Sequence, residues 1–379
     1  MMFLGRLAVL AGTVFAAADA TLIVKVNEPD SEIQVLDEAG KVETSRKTDG
    51  KGTITISVET GKHRLSVRKN GFGHFTKEFE IESGGKKTIM AKLARAKDKI
   101  TPKWRQQVAD MPPEKQVQAV ARKLTELNLG FDGKVTHKIE NGGVVELELV
   151  TDDLMDISAI RVFGDLTVLK CAGSGDGTGK LSDLTPTKGM PLRELNCRRN
   201  PALSDLSPLK GMPLSGMHCD KTAVSDLTPL KGMKLGYLNL DDTPVADLSP
   251  LAGMPLGELL CNNTRVSDLT PLKGSTLESL GISGTQVSSL LPLNDVKLRA
   301  LGVSKAPVAD LSPLKRMPLR SLYCQETQVS DFSPLENLPL KFLWLDYKPK
   351  RDMEILRSIK TLETINEKPA ADFIKYEGQ

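Results

Sequence analysis

Hydrophobic and polar residues follow three successive patterns along this chain of 379 residues. From Thr21 to about Leu93 they alternate in six short runs: TLIVKVN, EIQVLDE, GTITISVE, HRLSVRK, TKEFEIE and KTIMAKL. Such alternation predicts β-strands with one buried face, and turn signals such as Asp49-Gly50 separate the runs. Six short strands indicate a small all-β sandwich.

The second pattern covers residues 96–150 and is mixed. Residues 94–112 are rich in Lys, Ala and Pro, which predicts a connector. Within 113–128, apolar residues recur at three- and four-residue spacing and predict a helix with one apolar stripe. Asn141-Gly142-Gly143 then lies between two alternating runs and predicts a β-hairpin.

The third pattern is a repeat that begins near residue 151. Eight prolines are spaced by 22 residues once and by 21 residues six times. Ser or Thr precedes seven of them, and Leu291 precedes the eighth. A Ser or Thr followed by Pro predicts a helix N-cap at the start of one short helical turn in each unit. The prolines are Pro186, Pro208, Pro229, Pro250, Pro271, Pro292, Pro313 and Pro334.

The other half of each unit reads L-x-x-L-x-C/L-x-x-T-x-V, most clearly from Leu256 and from Leu319. The alternation at its centre predicts a strand with one buried face. This pattern resembles the bacterial, internalin-type leucine-rich repeat, shortened to 21 residues, over roughly 154–366. The resemblance implies an α/β-type solenoid with a parallel concave sheet and short helical or 3₁₀ turns. We expect the solenoid over 151–350, a C-terminal cap and tail over 351–379, and the helix and hairpin of 96–150 as the opposite cap, because an open end exposes core.

The N-terminal segment shows a second resemblance. The runs EPDSEIQV from Glu28 and GKHRLSVRKNGF from Gly61 resemble the PEGA domain, a small β module of bacterial surface and envelope proteins. Ser31 and Glu32 stand where that family usually has Gly and Ala. The resemblance implies a PEGA-like β-sandwich over 21–95 without catalytic residues. Together with the short repeats, it is similar to the extracytoplasmic part of bacterial transmembrane serine/threonine kinases, although no kinase signature occurs in the sequence.

The first 20 residues have the layout of a secretory signal. They contain one Arg, an apolar run from Leu7 to Ala18, and the segment Ala18-Asp19-Ala20 before the expected cleavage point. The run is short for a transmembrane helix, which needs about 20 residues. We expect an exported protein in the periplasm, at the cell surface or secreted, and the alternative is an anchor formed by an uncleaved N-terminal segment.

Composition and motifs argue against several classes of function. The net charge of +3 and the aromatic content of 4% do not favour a nucleic-acid partner. The four histidines lie far apart and show no metal spacing. The glycine-rich run GSGDGTGK before Leu181 is not a phosphate loop, because Ser174 stands where the first Gly belongs and Leu181 where a hydroxyl is needed. We therefore predict no enzyme, no cofactor and no metal.

Three further columns of the repeat are interpreted as architectural. The Cys column is predicted to hold buried core thiols, with a metal or redox site as the alternative. The Asp column is predicted to accept backbone N–H groups, with calcium binding as the alternative. The Thr column occupies the place of the family's Asn ladder, and Ala306 interrupts it. The Cys column comprises Cys171, Cys197, Cys219, Cys261 and Cys324, and the Asp column comprises Asp183, Asp205, Asp226, Asp247, Asp268, Asp310 and Asp331.

Function is expected on the exposed strand positions of the concave face. Because aromatic residues are scarce, four of them in the last two full repeats suggest an interface, which concentrates its energy in Tyr and Trp. The alternative is that they cover the last repeat together with the C-terminal cap. The candidates are Tyr237, Asn239, Tyr323, Gln325, Phe342, Trp344, Asp346 and Tyr347.

We expect a monomer with a protein partner, or a glycan, in peripheral association with the bacterial envelope. A sensor or scaffold related to the transmembrane kinases is the alternative function.

Overall fold

The computed structural model describes residues 20–69, 72, 75–93, 100–128 and 130–377. Contacts divide the chain into two compact units, Met1–Lys99 and Ile100–Gln379. The predicted secretory signal lies outside the described residues except for Ala20. Among the helices that are described, none combines the length and the apolar character needed to cross a bilayer.

The first unit is a small all-β domain of two sheets that share one core. The three-stranded sheet has the order β4-β1-β7, in which β1 is antiparallel to β4 and parallel to β7; the four-stranded sheet has the antiparallel order β3-β2-β5-β6. Alternate residues such as Leu22 and Val24, and Leu65 and Val67, are fully buried, as the sequence pattern predicted. The strands are β1 (Ala20–Val26), β2 (Glu32–Leu36), β3 (Val42–Lys47), β4 (Thr53–Val58), β5 (Gly61–Arg68), β6 (Phe75–Ile81) and β7 (Lys86–Ala91).

The prediction of six strands is wrong by one, because β3 was missed. Its sequence VETSRK is polar, and five of its six residues are exposed. The strand lies at the edge of its sheet and pairs only with β2. An edge strand that buries neither face carries no alternation to detect.

The second unit is a leucine-rich-repeat solenoid built on one 13-stranded sheet. Strands β9 to β19 are parallel neighbours in chain order, while β8 and β20 add one antiparallel strand at each end. The predicted fold class, a solenoid preceded by a small all-β domain, is confirmed. The strands are β8 (Thr136–Glu140), β9 (Gly143–Val150), β10 (Val168–Ala172), β11 (Glu194–Asn196), β12 (Gly216–His218), β13 (Tyr237–Asn239), β14 (Glu258–Leu260), β15 (Ser279–Gly281), β16 (Ala300–Gly302), β17 (Ser321–Tyr323), β18 (Phe342–Trp344), β19 (Thr364–Ile365) and β20 (Lys368–Pro369).

Helices close both ends of the solenoid core. Helices α1 (Pro102–Ala109) and α2 (Pro113–Leu127) contribute apolar residues to the same core at the N-terminal end, and α3 (Pro349–Ser358) and α4 (Ala370–Glu377) follow the last repeats. The interpretation of 94–112 as a connector is therefore wrong over α1. The Thr101 hydroxyl accepts the Trp104 N–H at 3.1 Å and caps α1. Because α1 buries only one side chain, it shows no apolar stripe in the sequence.

The short turn of each unit is 3₁₀. The Asp column caps seven of these turns, and Ser289 takes its place before the Leu291 turn. In one unit, Asp205 Oδ1 accepts the Ser207 N–H at 2.7 Å, and the six other Asp residues make the equivalent bond at 2.7–2.8 Å. The prediction for the Asp column is thus confirmed. The prediction that Ser or Thr caps the turn is wrong. This residue is the first of the turn, and its own N–H donates to the capping Asp.

The Cys and Thr columns both face inward. All five thiols are free and buried, and burial raises the pKa of Cys171 to about 12. The prediction of buried core thiols is confirmed. The Thr222 hydroxyl donates to the Cys219 carbonyl at 2.7 Å, within its own unit, so the Thr column does not link neighbouring units as an Asn ladder does. Asn200, in the same column, does make that link, through the Cys171 carbonyl at 2.9 Å.

Candidate functional site

The concave face presents two outward-facing positions from each of the strands β11 to β18. Each strand has three residues, and the middle one, such as Leu322 or Leu343, is fully buried. Its two neighbours line the sheet surface because side chains alternate along a strand. The parallel register places equivalent residues side by side, so that Tyr323 is opposite Trp344.

That register produces a stacked aromatic pair near the C-terminal end of the sheet. The rings of Tyr323 and Trp344 are 4.2 Å apart between centroids and inclined by 14°, and Phe342 tilts against Trp344 at 6.5 Å. Tyr323 is 40% exposed. We call these three residues the aromatic patch. The stack fixes the orientation of both large rings while leaving surface open to solvent.

Tyr347 does not belong to the aromatic patch. Its ring contacts Phe373 of α4 edge-on at 4.9 Å, and its hydroxyl donates to the Glu377 carbonyl at 2.9 Å. Asp346 accepts the Glu326 N–H, and its carbonyl accepts Arg351 Nη2 at 3.0 Å. The contacts of Tyr347 therefore match the alternative interpretation, in which it covers the last repeat together with the C-terminal cap.

A shallow trough of about 410 Å³ adjoins the aromatic patch. Its floor is formed by Gly281 and Gly302, and Tyr323 and Leu260 stand at its two sides. The Gln325 N–H donates to the Ser304 hydroxyl at 3.2 Å along its rim. The sequence analysis missed Gly302 and Ser304; two glycines in consecutive copies of one column were the available signal.

A second group of polar residues lies towards the N-terminal end of the sheet. The rings of His218 and Tyr237 are 4.6 Å apart, and the Tyr237 hydroxyl lies 3.3 Å from His218 Nδ1. They border a cavity of about 310 Å³ that Lys170 and Glu194 also line. Asn239 Oδ1 accepts the Asp241 N–H at 2.9 Å and orders the end of its strand.

Burial shifts the protonation of this second group. Burial lowers the pKa of His218, and the Asp220 carboxylate opposes that shift. Burial also raises the pKa of Asp241, although the backbone and side-chain amides of Asn262 donate to it. In the described part of the chain, no three metal-binding side chains converge on one point.

Comparison with known proteins gives fold-level likenesses only. No family model matches the chain, and no curated protein matches it. An internalin of Listeria monocytogenes, InlF, is 23% identical, with 56% of this chain and 71% of the internalin covered and a TM-score of 0.44. Internalin C2 of the same organism is 22% identical, with 59% and 83% covered and a TM-score of 0.42. The functional domain of Listeria monocytogenes InlJ, which includes a cysteine ladder, is 14% identical, with 66% and 77% covered and a TM-score of 0.33. Identities of this size say nothing about a partner or an activity.

Proposed function

We propose that this protein is a non-enzymatic recognition protein that binds a protein partner along the concave face of its solenoid. The observation that carries the proposal is the stacked, partly exposed pair of Tyr323 and Trp344. Tyr and Trp supply much of the energy of protein interfaces, and rings already held in place lose little conformational entropy on binding. In a chain with an aromatic content of only 4%, this pair is the best supported anchor.

The other predicted concave residues fit this proposal to different degrees. Phe342 extends the aromatic patch, and Gln325 lies on the same surface beside Tyr323. Tyr237 and Asn239 belong to the second polar group, several strands away. Asp346 and Tyr347 are engaged with the C-terminal end of the chain, and we assign them to its support.

A glycan is the second candidate ligand, and the trough beside Tyr323 is the observation that favours it. Ser279 and Ser283 present hydroxyl groups there, with the Tyr323 ring at one side. Sugar hydroxyls pair with such groups, while the apolar face of a sugar ring packs on an aromatic ring. An array of bacterial envelope polysaccharides tested for binding to the purified protein separates this candidate from a protein partner.

We further propose that the protein is exported and acts as a monomer at the bacterial envelope. The N-terminal sequence pattern supports export, and the PEGA resemblance of the β domain supports an envelope location. The alternative remains a sensor or scaffold related to transmembrane serine/threonine kinases. Cell fractionation with N-terminal sequencing distinguishes a chain cleaved after Ala20 from one anchored by an uncleaved N-terminus.

The binding proposal is tested by pull-down from envelope extracts. We expect the double substitution Tyr323→Ala and Trp344→Ala to reduce recovery of a specific partner at least tenfold, since each hot-spot ring contributes about 2 kcal/mol or more. Tyr376→Ala is the matched control, because Tyr376 is 67% exposed but lies on α4. Unchanged recovery of every partner by the double variant would refute the proposal.

A further inference from the structure

Four carboxylates surround the His218–Tyr237 pair on the concave face. This acidic patch consists of Glu194, Asp220, Asp241 and Glu258. The fields of Asp220, Glu194 and Glu258 all act on His218, and those of Glu258, Asp220 and Asp241 act on Tyr237. The parallel register pairs Tyr237 with Glu258 and His218 with Asn239, two residues before Asp241, so carboxylates from four successive coils lie around one ring pair.

The carboxylate of Asp220 is both buried and unpaired. Asp220 is only 8% exposed, and its Oδ1 atom has no hydrogen-bond partner among the described residues. Within the same part of the chain, no member of the acidic patch forms an ion pair. Buried charges are normally paired, because a charge that leaves water without a partner is not compensated. Arg198 is a cation whose charge also acts on His218, but four carboxylates against this single charge leave the patch with an excess of negative charge.

Three of the neighbouring cations already form ion pairs elsewhere. Lys170 Nζ lies 2.6 Å from Glu146, and Arg199 Nε lies 3.2 Å from Asp176, which Lys221 also contacts. Asp176 belongs to the inserted glycine-rich segment 173–180, so this insertion supplies the ion-pair partner of both Arg199 and Lys221. Arg198 forms no ion pair in the described structure, its buried Nε has no hydrogen-bond partner there, and its one charge does not balance four carboxylates.

We infer that the acidic patch binds a lysine- or arginine-bearing segment of the protein partner, with one cationic head group at Asp220. The inference rests on the proposed function and names the chemistry of its partner. Glu194 is the member of the acidic patch that lines the cavity beside Tyr237. This cavity takes the aliphatic part of such a side chain, and the ring favours a cation over its face. Six strand spacings separate β12 from β18, so a segment contacting both Asp220 and Trp344 spans about 29 Å, or roughly nine extended residues.

A fluorescein-labelled peptide of four Gly-Arg repeats serves as the probe, and the same peptide with citrulline in place of arginine is its neutral control. Fluorescence anisotropy at 0.15 M salt measures binding to the full chain. We expect Asp220→Asn to weaken binding of the arginine peptide about tenfold, because a charge-assisted hydrogen bond is lost. Asp242→Asn removes the same charge from an exposed neighbour and is expected to change affinity less than twofold.

Thermal unfolding tests whether Asp220 has a purely structural role. Since no described group pairs with this carboxylate, Asp220→Asn is expected to leave the Tm unchanged or to raise it. A Tm loss that disappears in an Arg198→Gln background would show an internal ion pair and overturn the inference. Arg198→Gln alone is expected to strengthen peptide binding, because it removes a competing cation.

Three binding outcomes contradict the inference. If Asp220→Asn and Asp242→Asn reduced the affinity for the arginine peptide equally, the binding would reflect only bulk electrostatics. If the citrulline peptide bound as tightly as the arginine peptide, a charge-specific site would be excluded. Failure of the arginine peptide to bind at millimolar concentration would also overturn it. A captured partner that needs Tyr323 and Trp344 but is indifferent to Asp220→Asn would leave the proposed function intact and refute the acidic docking site alone.

Discussion

The side-chain oxygen of Asn200 accepts the hydroxyl hydrogen of Thr151 at 2.7 Å and joins the coils of β9 and β11 across the coil of β10. The same oxygen accepts the Leu181 N–H at 3.1 Å, and the amide nitrogen donates to the Cys171 carbonyl at 2.9 Å. Asn200 is fully buried, and both polar atoms of its side chain form hydrogen bonds. Gly179 passes directly beside it, so close that a Cβ there would lie 2.3 Å from Asn200 Oδ1.

Gly179→Ala is therefore expected to destabilise the solenoid by about 1–3 kcal/mol, the usual cost of overpacking a close-packed site. The added carbon would also lie 2.6 Å from the Arg199 carbonyl oxygen, which is backbone and cannot rotate away. Denaturant unfolding followed by circular dichroism measures the change. Gly175→Ala, whose nearest contact would be 3.4 Å, is the control within the same loop. Equal stability of the two variants would contradict this explanation of the glycine.

Stability is expected to fall in acid because of the Asp caps. Hydrogen bonds from residues two positions later lower the pKa of five members of the column below the ordinary value of 3.8: Asp226, Asp247, Asp268, Asp310 and Asp331. A folded-state pKa below the unfolded one gives stabilisation that is complete above pH 3.8 and lost as pH falls through the folded value.

We test this with Asp247→Asn combined with Asp268→Asn, since Asn caps but does not titrate. The Tm of this variant is expected to fall less than that of the wild type between about pH 5 and pH 3. Asp372→Asn, an exposed position on α4, is the control and keeps the wild-type slope. An equal fall of the Tm with pH in all three proteins would rule out the Asp caps as the cause of the acid sensitivity.

The coil that contains Ala306 is expected to open most readily. In its neighbour, the Thr285 hydroxyl donates to the Ile282 carbonyl at 2.6 Å. Ala306 has no hydroxyl, and the Val303 carbonyl accepts only the Ala306 N–H at 3.0 Å. The Thr285 hydroxyl also accepts the Val287 N–H at 3.5 Å, a bond that Ala306 cannot make. One hydrogen bond less corresponds to about 1 kcal/mol, so amides in 303–308 should exchange about fivefold faster than those in 282–287. Equal or slower exchange there would refute this account.

Much of the fold could be predicted because the repeat fixes its own register. A spacing of 21 residues places each Leu, Cys and Asp in the column of the previous copy, and the parallel ladder follows from that. Elements without a periodic apolar face were missed. Strand β3 is a polar edge, and α1 buries only Val108, so neither left the pattern that identifies an element.

From the sequence, the candidate site could be predicted only as columns of equivalent positions in successive repeats. Tyr323 and Trp344 could be placed side by side from the repeat alone. The contact of Tyr347 with Phe373 could not, because it depends on how the last helix folds back. The burial of Asp220 likewise depends on the packing of its neighbours rather than on its own position in the repeat.

The inserted segment 173–180 bulges out after β10, yet β10 and β11 still pair in register, with Val168 opposite Glu194. Extra chain length is thus accommodated at this rim without disturbing the ladder. Gly177 lies at its tip, with open space around the position a Cβ would take. An epitope tag inserted after Gly177, which keeps this glycine and its φ of +76°, would accordingly report on events at the adjacent face while leaving every coil intact.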